Sequence, residues 1–417
     1  MLYKRWCAVV AERPGEIAIR DSASGMRWTF TQLRAAAEAI SLSDEKIIFP
    51  RTTLPEFLMD VLAGWRHGKV VCPLEPGTMR PDVPAPPPNI AHLKLTSATT
   101  GPSRCVAFTA AQLEADVQNI IATMGLRVEW PNLAVISMAH SYGFSNLVLP
   151  LLLHGIPLIH VSHPLPEMVR RAAEGEIALT VAGVPALWRA WHEAQALPAN
   201  VRLAISAGAP LPMNLEAEIF KSTGVKVHNF YGASECGGIA YDAAITPRTD
   251  DSCVGQPMRN VKLELNSRGC LVVRSAAAGE RYWPISDDAL GNGSFQTSDL
   301  AELKDGAVYL RGRASDLINV AGRKVGPEVI ERVLRLNLAV RDCLVFGAPS
   351  EDAGRTDVIV AVVVAQSNEN ELKAFLQQNL PAWQVPRKWL FVESLPVNER
   401  GKISRAAWRQ RYVDGLR

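Results

Sequence analysis

The sequence has no C-x-x-C pair, no dominant basic stripe and no long apolar run. Its 7 cysteines are odd in number and scattered over 417 residues. That pattern argues against a disulfide framework or a zinc site, and predicts reduced thiols in a cytoplasmic protein. Lys and Arg total 44 against 42 Asp and Glu, a net charge of +2. Neither nucleic acid nor an anionic membrane is therefore expected as the main partner. The opening stretch MLYKRWCAVVAERPGEIAIRD lacks the apolar core and small-residue cleavage site of a signal peptide. The longest purely apolar run, Leu147 to Leu153, is too short to cross a bilayer. No internal repeat is present, and no segment matches the phosphate loop G-x-x-x-x-G-K-[ST].

What is present is an alternation of short apolar runs with helical patterns between residues 130 and 240: LAVISM, IPLIHV, LTVAG, VRLAISAG and VKVHNFYG. Such alternation predicts an α/β fold with a mostly parallel sheet. Earlier, Ile17 to Arg20 reads as a strand, and a helix starts near Thr31, capped by Thr29 or Thr31. PDVPAPPPN (81 to 89) is an extended connector. Ala91 to Leu95 reads as a strand, and Ala110 to Met124 has helical periodicity. From 253 to 312 the pattern becomes short alternating strands with turns at Asn266–Gly269 and Asp305–Gly306, an antiparallel subdomain. Near Ala314 a small α+β unit begins, with a helix bearing Val329, Ile330, Val333 and Leu334. It continues through CLVFGAP and DVIVAVVVA, a helix over Glu371–Leu380, and WLFVESLP. The absence of a linker near 313 to 316 predicts a tight hinge.

Several segments carry chemistry. LTSATTGPSR (95 to 104) offers the hydroxyls of Thr96, Ser97, Thr99 and Thr100 with the backbone of Gly101, after a strand and before a helix. Such donors can cradle phosphate, although Ser/Thr turns are also common surface features. NFYGASECGG (229 to 238) places an aromatic, small residues and a carboxylate after an apolar strand, at the edge where open α/β sheets bind ligands. AISAGAPLP (204 to 212) exposes backbone after another strand. Asp299 in TSDLAEL, RGRASDLINVAGRKVGPEVIE (311 to 331) and PVNERGKISR (396 to 405) complete the set.

Taken in order, these segments resemble the adenylate-forming superfamily of acyl-CoA synthetases, aryl-acid ligases, peptide-synthetase adenylation domains and luciferases. The resemblance covers nearly the whole chain. It implies a large N-terminal domain over residues 1–314, with layered, mostly parallel sheets and an antiparallel, barrel-like part. A small mobile α+β lid over 315–417 follows. Thr96 to Arg104 would be the phosphate loop, with Ala98 replacing a glycine and Arg104 a lysine. His140 in HSYG would stand beside the acyl pocket. Gly208, Ala209 and Pro210 would contact adenine, with Asn229 and Gly232 flanking Tyr231, which would stack on it. Ser234 would meet the α-phosphate and Glu235 would bind Mg²⁺. Asp299 and Arg313 would hold the ribose, Ser315 would be the hinge residue, and Lys402 the adenylation lysine.

The implied reaction uses ATP and a small carboxylic acid, aryl or medium acyl. The acyl group passes to coenzyme A or, alternatively, to the phosphopantetheine of an acyl or peptidyl carrier protein. A non-catalytic nucleotide- or acyl-binding relative is the third reading. The N-terminal domain looks shortened between residues 40 and 90. Pocket residues are expected around His140, Val181–Leu187, Ala207–Ala209 and Gly232–Gly237. Cys236 is not expected to be a nucleophile, since no histidine pattern accompanies it.

Overall fold

A computed structural model describes residues 1–96, 104–350, 357–396 and 404–415. Ser97, Ala98, Thr99, Thr100, Gly101 and Lys402 lie outside the described residues. The chain forms two compact units. The first comprises residues 1–96, 104–264 and 272–296; the second comprises 265–271 and the described residues from 297 onward.

The first unit is built on a parallel sheet. Its strands lie in the order Val227–Ala233, Val201–Ser206, Leu179–Gly183, Asn132–Ala134, Leu158–His160 and Ile17–Asp21. Antiparallel strands extend it on both sides. Arg27–Thr29 pairs with Ile17–Asp21, while Gly237–Tyr241 and then Cys253–Pro257 follow Val227–Ala233. Most residues of the parallel strands are buried, as parallel sheets require. Trp188 and Trp191 pack edge to face at 5.2 Å beneath the sheet. The Trp188 indole donates to Ile205 O at 3.2 Å, so its polar atom is satisfied.

A second sheet orders Arg281–Trp283, Cys105–Thr109, Ile90–Leu95, Val70–Val71 and Ile47–Ile48. Between residues 40 and 90 the structure has these last two short strands and the helix Glu56–Arg66. The helices Phe30–Glu38 and Ala110–Met124 start where expected. Thr29 with Gln32, and Thr109 with Gln112, form reciprocal capping boxes.

One helix has no counterpart in the sequence reading. Leu2–Glu12 is helical and buries Leu2, Trp6, Val9 and Val10. These positions fall on one face at 3.6-residue period. The apolar run Leu147–Leu153 lies in a helical stretch, Phe144–Val148 and Leu149–His154, buried throughout. Among the described residues no helix is long and apolar enough to cross a membrane.

In the second unit, Ser294–Lys304 pairs antiparallel with Ala307–Arg313. A three-stranded sheet follows: Val340–Pro349 antiparallel to Asp357–Ala365, which is parallel to Lys388–Phe391. Alternation divides its side chains. Cys343, Val345, Ile359, Ala361 and Val363 face the helices Pro327–Arg335 and Glu369–Asn379. Leu344, Phe346, Val360 and Val362 face the other way, toward Trp408 and Tyr412 of the helix Arg405–Val413.

Candidate active site

The parallel strands set the first part of the site. Ser206 and Asn229 are register partners at the end of their shared ladder, so the segments that follow leave adjacent strand ends. One carries Gly208, Ala209 and Pro210, with Gly208 and Pro210 exposed; the other carries Tyr231, Gly232, Ser234 and Glu235. The second segment continues its strand and then turns back. The strand runs on through Ala233 and pairs back with Gly237–Tyr241, so Ser234, Glu235 and Cys236 form a hairpin turn.

That turn rests on a buried polar cluster. Asp116 lies directly beneath Gly237, whose φ is +70°, and a Cβ there would overlap the Asp116 carboxylate. The left-handed φ and this close approach together require glycine. Asp116 accepts from Ser145 Oγ at 2.6 Å, and Lys94 Nζ lies 3.6 Å from its Oδ2. Cys236 is fully buried, and desolvation pushes its thiol well above the usual range, with the Glu235 and Asp116 charges adding to the effect. It is an inert thiol, as expected.

Thr96 and Arg104 are clipped together. Thr96 N donates to Arg104 O at 2.8 Å, and Thr96 Oγ1 donates to the same oxygen at 3.1 Å. The Arg104 guanidinium pairs with Asp287 at 3.0 Å and lies 5.5 Å from the Tyr282 ring centroid. The Tyr282 hydroxyl in turn donates to Glu235 Oε1 at 3.1 Å. Gly279 N donates to Glu235 O at 2.8 Å. The strand Arg281–Trp283, paired with Cys105–Thr109, thus bridges the base of the loop and the acidic turn. Burial and the Glu235 carboxylate raise the Tyr282 phenol, which stays a donor at neutral pH. A backbone hydrogen bond from Ala289 and the Arg104 guanidinium lower Asp287.

His140 sits at the N-terminus of the helical stretch that begins at Ser141. Its Nε2 lies 3.0 Å from Glu75 Oε1, and the Ser137 hydroxyl donates to the same oxygen. Tyr142 pins this segment to the parallel sheet. Its hydroxyl lies 3.3 Å from Gly183 O and 3.4 Å from Ile205 O, and its ring is 5.9 Å from Phe230. The segments holding Tyr142, Gly183 and Ile205 therefore meet at one end of the sheet.

The second unit holds Asp299 and Arg313, register partners across an antiparallel pair, with Arg313 Nε 3.0 Å from Asp299 Oδ1. Asp299 is partly buried and Arg313 exposed. Their shared polar rung can present both a carboxylate and a guanidinium to a diol. Arg313 ends its strand and a 3₁₀ turn, Ala314–Asp316, follows.

Glu75, Tyr282, Asp287, Asp116 and Lys94 were missed in the sequence. Only Tyr282, an aromatic between Arg281 and Trp283 in a short strand, carried a local signal.

Glu235 supplies one carboxylate, the ligand that Mg²⁺ uses where phosphates and water complete its sphere. Among the described residues there is no group of three His, Cys, Asp or Glu able to cage a metal.

Comparison with known proteins agrees with this architecture. The AMP-binding enzyme model matches residues 62–283, more than half of the chain, and the AMP-binding enzyme C-terminal domain model matches 329–402. The chain belongs to the AMP-binding enzyme family. It is 29% identical over 342 residues to a probable 2-succinylbenzoate–CoA ligase of Mycobacterium tuberculosis, covering 78% of this chain and 85% of the relative. It is 28% identical over 232 residues to an uncharacterized acyl-CoA ligase of Bacillus subtilis, covering 54% of this chain but only 48%, about half, of that relative. The fold is that of ATP-bound MatB from Rhodopseudomonas palustris, with a TM-score of 0.87 at 19% identity over 99% of each chain.

Proposed function

We propose that this protein is an ATP-dependent acid–thiol ligase of the AMP-forming type. In the first half-reaction a carboxylate oxygen attacks the α-phosphorus of ATP. The bond to the bridging oxygen breaks and pyrophosphate leaves, giving an acyl-adenylate. In the second, the thiolate of coenzyme A attacks the acyl carbon and AMP leaves. The relatives' names as CoA ligases favour coenzyme A over a carrier-protein phosphopantetheine.

Phosphoryl transfer asks the protein mainly for positioning and charge neutralisation. In this reading Tyr231, with Asn229, Gly232 and the backbone of Gly208–Pro210, receives adenine. Asp299 and Arg313 receive the ribose. Ser234, Thr96 and Arg104, with Ser97, Thr99, Thr100 and Gly101, face the phosphates. Glu235 would hold Mg²⁺, which neutralises phosphate charge when bound. His140, braced by Glu75, borders an aryl or medium acyl group. Lys402 bridges the substrate carboxylate and the α-phosphate. The boundary at 314/315 is the hinge about which the lid would turn between half-reactions.

The observation that carries the reading is the Arg104–Tyr282–Glu235 chain, which joins the base of the loop to the acidic turn. The test is pyrophosphate release with ATP, Mg²⁺ and a panel of aryl and aliphatic acids, with and without coenzyme A. One turnover without coenzyme A and many with it is the expected result. Lys402→Ala should slow the first half-reaction by about 10²- to 10³-fold, the scale of losing one transition-state contact. Silence of the wild-type protein across the panel, with ATP binding shown separately, would refute catalysis.

A further inference from the structure

One guanidinium joins three elements of the second unit. Arg405 opens the helix Arg405–Val413, three positions after Lys402. Its Nε donates to Val345 O at 2.8 Å, and its Nη2 donates to Glu331 Oε1 at 2.8 Å. Its Nη1 donates to Asp316 Oδ2 at 2.8 Å and lies 3.1 Å from Glu328 Oε1. These partners belong to the strand Val340–Pro349, the helix Pro327–Arg335 and the turn Ala314–Asp316. Glu331 also accepts from Val345 N at 2.8 Å, so strand and helix are cross-linked around the arginine. Asp316 accepts from Ser315 Oγ at 3.0 Å. Ser404 caps the helix through Ala407 N at 3.2 Å, fixing the chain immediately before Arg405.

We propose that Arg405 is a positioning residue for Lys402, anchoring the chain on the C-terminal side of the lysine to the hinge-side turn at Asp316. The proposal rests on the reading of Lys402 as the adenylation lysine. Three residues of extended chain span at most about 10 Å, so a fixed Arg405 confines where Lys402 can be presented. Only the arginine fork can serve three carboxylates and a carbonyl at once; lysine has a single point charge. Misplacement of a reacting group by about 1 Å can cost ~10²-fold in rate. The anchor on Asp316, beside Ser315, ties the start of the helix Arg405–Val413 to the hinge-side turn. A purely structural role would instead show as a loss of everything the unit does.

The experiment measures the two half-reactions separately in the full chain. Single-turnover pyrophosphate formation reports the first. Acyl transfer to coenzyme A from the chemically prepared adenylate of the best acid in the panel reports the second, which does not use Lys402. In Asp316→Asn, pyrophosphate formation should fall about 10-fold, and in Arg405→Lys about 10- to 100-fold. Acyl transfer should stay within about 2-fold of wild type, with an intact thermal transition. If Arg405→Lys fails to fold, Asp316→Asn, which leaves the Glu331 and Val345 contacts in place, decides. Parallel loss of both half-reactions in Asp316→Asn, or no loss of the first, overturns the proposal. Lys402→Ala is the control. If it still forms pyrophosphate, the lysine reading fails. If it does not while Asp316→Asn is unaffected, only the positioning role fails.

Discussion

Two buried charge networks in this molecule are built on opposite plans. In the first unit, Glu216 is fully buried between Lys226, which it meets directly, and Arg248 at 2.8 Å. Lys226 also contacts Asp242 at 2.6 Å. Two cations meet two anions, and Arg248 spends its remaining donors on Leu211 O at 2.6 Å and Cys253 O at 3.0 Å. In the second unit, Arg405 faces Asp316, Glu328 and Glu331, and Arg335 lies 3.7 Å from Glu331. Among the described residues of this network anions exceed cations. Glu328 Oε2 has no hydrogen-bond partner among the described residues, and burial raises the Glu328 carboxyl above its ordinary range. The closed network locks the chain just past Pro210 in one arrangement. The open one holds its elements together but keeps one carboxyl whose proton affinity burial raises.

Breaking the closed network should have the largest effect. Glu216→Ala strands Lys226 and Arg248 with too little counter-charge, and should cost about 3–5 kcal/mol in chemical denaturation. A loss below ~1 kcal/mol would show that the network is not load-sharing. The open network should respond to pH instead. A carboxyl raised in the folded state binds its proton more tightly there than in the unfolded chain. Its contribution to stability is complete below the unfolded value, near 4.5, and is lost as pH rises through the folded value. Glu328→Gln should therefore change stability by less than ~1 kcal/mol near neutrality yet flatten the decline above that pH. Parallel thermal-midpoint profiles of variant and wild type would contradict this. The smallest effect belongs to a pair outside both networks. Arg274 meets Glu264 at 3.2 Å with both side chains more than half exposed. Arg274→Ala should shift stability by no more than ~0.5 kcal/mol.

How much was legible in the sequence follows from how far each determinant reaches. The starts of the helices at Phe30 and Ala110 depend on a threonine and a glutamine three positions apart. The Asp305–Gly306 turn depends on two residues with positive φ. Such signals are local, and they were readable. The helix Leu2–Glu12 was not, because Lys4, Arg5 and Glu12 interrupt its apolar positions and its buried face becomes apparent only with a partner. The strand before Glu235 was readable but the hairpin that carries it was not, because what fixes the hairpin is Asp116 pressing on Gly237. The site's cross-links are longer still: Arg104 to Asp287 spans 183 positions, and Tyr282 to Glu235 spans 47. The motif order identified the family's chemistry, whereas the side chains that brace the motifs come from elsewhere in the chain.

The position of Ile17–Asp21 in the parallel sheet has a consequence for how the molecule is made. Its parallel neighbour is Leu158–His160, and the side-chain contact that seals them, Asp21 to His160, bridges 139 positions. A ribosome adding ~5–20 residues per second needs roughly 7–28 seconds to cover that distance. For that time an early strand has emerged and its partner has not. Ile17–Asp21 can gain this neighbour only after His160 is out, so this strand is where a nascent chain would first need a chaperone.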